Sequence, residues 1–161
     1  MDYEDSTFDV IFGRGIIHHL NLPACYSEVS RVLKPGGCAI FYEPLGHNPA
    51  FNWYRRRTPD LRTEGERPLL INDIKLAQQF FSQVNVRFFR LFTLVGVLID
   101  PTAKGTVFRL FDVVDRLVLS ISFVQRFAWY SLLTFVKQSV GASCRSRTRC
   151  IPPGPSGFFG A

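Results

Sequence analysis

The four cysteines, Cys25, Cys38, Cys144 and Cys150, form no Cys-x-x-Cys pair. Their spacing fits neither a zinc site nor a small disulfide framework, so no metal is expected. Cys25 and Cys38 fall in an apolar stretch, where reduced thiols behave as small hydrophobes. The opening MDYEDSTF is acidic and has neither a basic nor an apolar leader segment. It gives no secretory signal, which makes the cytoplasm the expected compartment. No apolar run reaches the roughly 18 residues that a spanning helix needs. A glycine-rich GxGxG loop after a strand is missing throughout, as is an acidic residue closing a second strand to hold a ribose. Charge of one sign is scarce as well. The net charge is +6 over 161 residues, dispersed or in two local clusters, and nucleic-acid binding is not expected.

What is present suits a globular domain: 47% apolar and 20% charged residues, enough for one real core. Phenylalanine is frequent, with 16 copies, most of them after residue 80. The stretch Phe8–Pro44, FDVIFGRGIIHHLNLPACYSEVSRVLKPGGCAIFYEP, reads as strand, loop, helix, turn, strand. Phe8–Phe12 is an apolar run short enough for a buried strand. Pro23 suits the first turn of a helix, and Tyr26, Val29, Ser30 and Leu33 recur at helical spacing. Pro35, Gly36 and Gly37 end that helix and supply the turn. Cys38–Tyr42 is a second strand. Two strands joined by a helix make a βαβ unit with parallel strands.

The ordered set FDVI, HHL, EVSRVLKPGG and an acidic residue closing CAIFYEP resembles the second half of class I S-adenosylmethionine-dependent methyltransferases, in particular the type 11-like group. The resemblance covers about residues 1–95 and implies an α/β fold, the C-terminal part of a Rossmann-like sheet. Phe8–Phe12 would be the fourth strand and Cys38–Tyr42 the fifth. S-adenosylmethionine is the implied cofactor and a small molecule the implied methyl acceptor. Gly13, Arg14, Gly15 and Ile16 match the loop that passes near the cofactor's methionine end. YEDSTFDVI resembles the loop leading into the fourth strand, and the glycine-rich half is missing. The chain is therefore expected to be a partial methyltransferase, with an incomplete cofactor site and no activity alone. Phe8–Phe12 would then be an exposed strand edge open to a protein partner.

Candidate catalytic residues are His18, His19 and Glu43, all near the carboxyl ends of the two strands, where ligands bind in open α/β sheets. His19 is read either as a helix-entry residue packing on its neighbours or as a base, and His18 shares that ambiguity. Glu43 either accepts a hydrogen bond from substrate or caps a turn with Pro44. Leu45–Leu69 is polar, aromatic and turn-rich, where substrate-binding insertions sit in the resembled family. A short helix over Asn52–Arg57 would present Trp53 and Tyr54 with Arg55, Arg56 and Arg57. Tyr54 and these arginines, with Arg62, could bind an anionic substrate group. The alternative is a solvated basic face paired with Asp60, Glu64 and Glu66, and that reading is preferred.

A helix from Asn72 or Asp73 to about Gln83 and a strand over Val84–Leu94 resemble the family's fifth helix and sixth strand. Val95–Ile99 is the one candidate for the antiparallel seventh strand. Thr106–Ser120 and Phe123–Lys137 read as a helical hairpin covering the sheet or the site. A broad Phe/Trp face with flanking Arg also permits peripheral membrane contact. Gly141–Ala161 is small, basic and Pro/Gly-punctuated, a disordered tail. The domain reading is residues 1–100 partial methyltransferase, 101–140 helical extension and 141–161 tail. A non-catalytic interaction module and a peripheral membrane protein are the competing functional readings.

Overall fold

A computed structural model of the chain describes residues 2–58, 60, 66–92 and 106–139. Four strands, β1 (Phe8–Arg14), β2 (Leu33–Pro44), β3 (Gln83–Phe89) and β4 (Tyr130–Val136), form one sheet in the order β1-β2-β4-β3. β1 and β2 are parallel and are linked through helix α1 (Leu22–Val32), which is the expected βαβ unit. The Asn21 side chain caps α1 by accepting from Ala24 N at 3.1 Å, and Pro23 lies in its first turn.

The Lys34–Gly37 turn is absorbed into β2 as an irregularity: Phe8 pairs with Leu33, but Val10 already pairs with Cys38. Gly36 adopts a φ of +78° there, which a side chain would strain. At Gly37 an added Cβ would meet Lys34 O at 2.9 Å and Asp9 O at 3.0 Å.

The expected seventh strand exists, but elsewhere in the chain. Val95–Ile99 lies outside the described residues. β4 fills the role instead, running antiparallel to both β2 and β3. This corrects the reading of Phe123–Lys137 as one helix and returns Tyr130–Val136 from the extension to the sheet. The physical reason is burial on both faces. Ser131, Leu133, Thr134, Phe135 and Val136 are all buried, and a strand buried on both sides reads as a continuous apolar run. Between β3 and β4 the chain carries helix α4 (Thr106–Val118) and one turn of helix α5 (Ser122–Gln125). The tail from 141 lies outside the described residues.

Helix α2 (Pro49–Arg57) starts earlier than expected because Asn48 caps it, accepting from Ala50 N and Phe51 N, with Pro49 at its start. Helix α3 (Ile71–Leu76) continues as a short 3-10 turn over Ala77–Gln79. The core lies between one sheet face and α1 with α3. Phe135 is its centre, touching Phe81, Tyr26 and Phe41 at ring separations of 5.0, 5.4 and 5.8 Å, each such pair adding about 0.5–1.5 kcal/mol beyond burial. Cys25 is a free, half-buried thiol that burial pushes up to about 11. Cys38 is disulfide-bonded, against the expectation of a reduced thiol. On β1, the edge strand among the described residues, Val10 and Phe12 are 54% and 68% exposed.

Candidate active site

The carboxyl ends of β1 and β2 meet at Glu43, which is fully buried. One carboxylate oxygen accepts from Ile16 N at 2.9 Å and Ile17 N at 3.2 Å, and the other lies 2.6 Å from His18 Nδ1. An ionised carboxylate only accepts, so Nδ1 carries a proton, and in the neutral ring Nε2 is the acceptor. Sequence fixes this locally. Gly13 and Gly15 end β1, Gly15 takes a φ of +61°, and its N–H donates to Tyr42 O at 2.9 Å. The chain then turns into the 3-10 segment Ile17–His19 with its first amides facing Glu43. Of the two uses foreseen for Glu43, neither is the principal one. It holds the loop and His18 together.

A cavity of about 300 Å³ opens beside this arrangement, lined by Arg14, Gly15 and His18 together with Phe51, Arg55, Glu66 and Trp129. Tyr42 and Tyr130, stacked at 4.7 Å and 8°, also line it. The Arg14 guanidinium lies over the Tyr42 ring at 5.8 Å, and that of Arg55 over Phe51 at 5.5 Å. Trp129 Nε1 is buried and has no hydrogen-bond partner among the described residues. The cavity thus combines aromatic walls, the Arg14 cation, the Arg55–Glu66 ion pair and one oriented imidazole, a composition suited to a small organic molecule.

The four residues Tyr54–Arg57 do not act as a unit. Arg55 reaches the cavity and pairs with Glu66, Nη1 to Oε1 at 2.7 Å. Burial raises the Glu66 pKa, but Arg55 and the two nearby imidazoles outweigh it and hold this carboxyl below the ordinary range. Tyr54, Arg56 and Arg57 are exposed, and Arg57 covers Trp53 at 4.2 Å. Arg62 and Glu64 lie outside the described residues. The loop Gly13–Ile16 stays together at the strand end, with Gly13 tight against the Phe41 ring, 2.7 Å from where a Cβ would sit.

His19 is exposed, and its ring lies 4.0 Å from that of His18, tilted by 40°. Donor atoms of His18, His19 and Glu66 lie within 4.8 Å of one another, close enough for a metal ion by distance. The charges oppose one: Glu66 is already neutralised by Arg55, and Arg14 lines the same cavity. Sequence reasoning named Glu66 as a partner of the arginines, and Arg55 pairs with it at 2.7 Å, but it missed Phe51, Trp129 and Tyr130 as a group. Their only shared signal was aromatic content, because β4 had to be placed before Tyr130 could meet Tyr42.

Residues 1–41 match the family model for the methyltransferase domain. No curated protein sequence matches the chain. Among solved structures, the chain is similar to Haemonchus contortus phosphoethanolamine N-methyltransferase 2 in complex with S-adenosyl-L-methionine, at 18% identity and TM-score 0.51. That match covers 86% of this chain and 35% of the nematode protein. It is also similar to geranyl diphosphate C-methyltransferase from Streptomyces coelicolor A3(2), at 12% identity and TM-score 0.53, covering 85% and 50% of the two chains. An Archaeoglobus fulgidus SAM-dependent methyltransferase matches at 15% identity and TM-score 0.50, over 83% and 61%. The chain therefore spans about a third to three fifths of the length of these proteins. Through the 1–41 match and the β1-β2-β4-β3 sheet, it carries part of the Rossmann-like fold of class I S-adenosylmethionine-dependent methyltransferases.

Proposed function

We propose that this chain forms the acceptor side of an S-adenosylmethionine-dependent methyltransferase acting on a small molecule, with His18 as the proton acceptor. The observation that carries this reading is Glu43, which gathers Ile16 N, Ile17 N and His18 Nδ1 on one buried carboxylate at the strand ends. S-adenosylmethionine, when bound, supplies an electrophilic methyl group on sulfonium sulfur. Gly13, Arg14, Gly15 and Ile16 would line its methionine end. Glu43 fixes the His18 tautomer, so Nε2 can take the proton of an incoming oxygen or nitrogen nucleophile. Tyr42, Tyr130 and Phe51 hold a flat or apolar acceptor body, and Arg14 attracts an anionic group on it. The solved relatives support a small acceptor: their complexes hold phosphomonomethylethanolamine and geranyl diphosphate.

No GxGxG pattern occurs in the 161 residues. This chain alone is therefore proposed to hold the cofactor weakly and not to turn over. The test is an amide NMR titration of the chain with S-adenosylhomocysteine. Shifts at Gly13–Ile16, saturating only near the millimolar range, are expected. Unmoved loop amides would overturn the cofactor assignment, and micromolar saturation would overturn the incomplete-site reading.

A further inference from the structure

Asp115 fixes the orientation of α4. It is buried, 3% exposed, and accepts from Leu91 N at 3.1 Å and Phe92 N at 2.6 Å. This ties the middle of the helix to the chain just after β3. Leu119, on the same side, is buried in the core. With about 3.6 residues per turn, positions two before and two after Asp115 point roughly the opposite way. Val113 and Leu117 occupy those positions, and Leu110 joins them one turn earlier. All three are more than half exposed, at 51%, 67% and 63%. The stripe continues past the helix through Ile121 and Phe123, at 55% and 62%.

The flank of the stripe is basic. Arg109, Arg116 and Arg126 are exposed, and Arg126 sits over the Phe123 ring at 4.4 Å. The acidic groups nearby are already engaged: Asp112 pairs with Arg116, and Asp115 is turned inward. No helix among the described residues is long and apolar enough to cross a membrane. An outward apolar stripe with arginines along its border is the composition of a helix lying in a bilayer interface.

We infer that α4 and α5 dock this chain onto an anionic lipid surface, with Leu110, Val113, Leu117, Ile121 and Phe123 entering the interface and Arg109 and Arg126 meeting lipid headgroups. The segment leads directly from Phe127 through Ala128 to Trp129 on the cavity wall.

The test is co-sedimentation of the full chain with phosphatidylcholine vesicles, with and without about 30% phosphatidylglycerol, at low and high salt. Binding to the anionic vesicles alone is expected, weakening about tenfold or more between about 0.05 and 0.5 M salt. Leu117→Asp should lower the partition coefficient at least tenfold while the circular dichroism spectrum stays that of the parent. Arg109→Gln with Arg126→Gln, which leaves the apolar stripe intact, should lower it on anionic vesicles. Equal binding to neutral vesicles, no binding at all, or undiminished binding of both variants would overturn the inference. A dimer in light scattering that Leu117→Asp dissociates, in a chain that ignores vesicles, would overturn it in favour of a second copy.

Discussion

Replacing Glu43 by Gln tests the centre of the site with almost no change of volume. The native carboxylate is fully buried and has three polar neighbours, Ile16 N, Ile17 N and His18 Nδ1. The two backbone amides share one oxygen, so a glutamine carbonyl in that place keeps both. The other oxygen becomes an NH2 donor facing His18 Nδ1. Two donors cannot bond, so the imidazole must move its proton to Nε2 and accept at Nδ1. Stability then falls by the loss of charge on the acceptor, about 1–3 kcal/mol. Glu43→Ala goes further, leaving the half-exposed Ile16 N–H, the buried Ile17 N–H and the buried imidazole without this partner. At about 1–3 kcal/mol for each of the two buried groups it should cost roughly 2–6 kcal/mol. Urea unfolding measures both losses, and nitrogen-15 chemical shifts of the His18 ring report the tautomer directly. A Glu43→Gln protein with the Nδ1 proton still in place, or a Glu43→Ala protein destabilised by less than about 1 kcal/mol, would refute the reasoning.

Gly37→Ala should destabilise the sheet by about 1–3 kcal/mol, because the new Cβ meets backbone oxygens of Lys34 and Asp9 rather than a yielding side chain. The urea midpoint checks it, and an unchanged midpoint would contradict the β2 register. His47 accepts from Ile71 N through Nε2 at 3.0 Å, which requires the neutral ring. Burial, and after it the Arg126 charge, lower its pKa from the usual 6.5. A depressed folded pKa means that the stabilisation is complete above 6.5 and is lost as pH falls through the folded value. Urea midpoints should therefore drop as the solution is acidified below neutrality, and His47→Gln should lessen that slope.

The order of local signals was open to reading in the chain itself. Pro23, the helical spacing of Tyr26 and Val29, and the glycines after Pro35 placed the βαβ unit, because helix starts and turns act over a few residues. The same reasoning brought His18, Glu43 and Gly13–Ile16 to one end of two strands, since a parallel pair must put its carboxyl ends together. What Glu43 does there was not legible. Substrate contact and a turn cap with Pro44 were the two readings, and its hold on the loop depends on the path of the Ile16 and Ile17 amides, which only the folded turn sets.

The second half shows the limit more plainly. Tyr130–Val136 carries no alternation, since both of its faces are covered, and a run of that kind fits a helix as well as a central strand. Its partners lie far away in sequence, Cys38–Pro44 on one side and Gln83–Phe89 on the other. No local rule selects them. Once they pair, Tyr130 comes to rest on Tyr42 and Trp129 joins the cavity wall, while Arg55 alone of its cluster turns toward Glu66. Sequence by itself determined the family resemblance and the two strand ends that hold the loop. The tertiary structure decided which aromatic and basic side chains face that loop, because long-range strand pairing and burial are properties of the whole sheet.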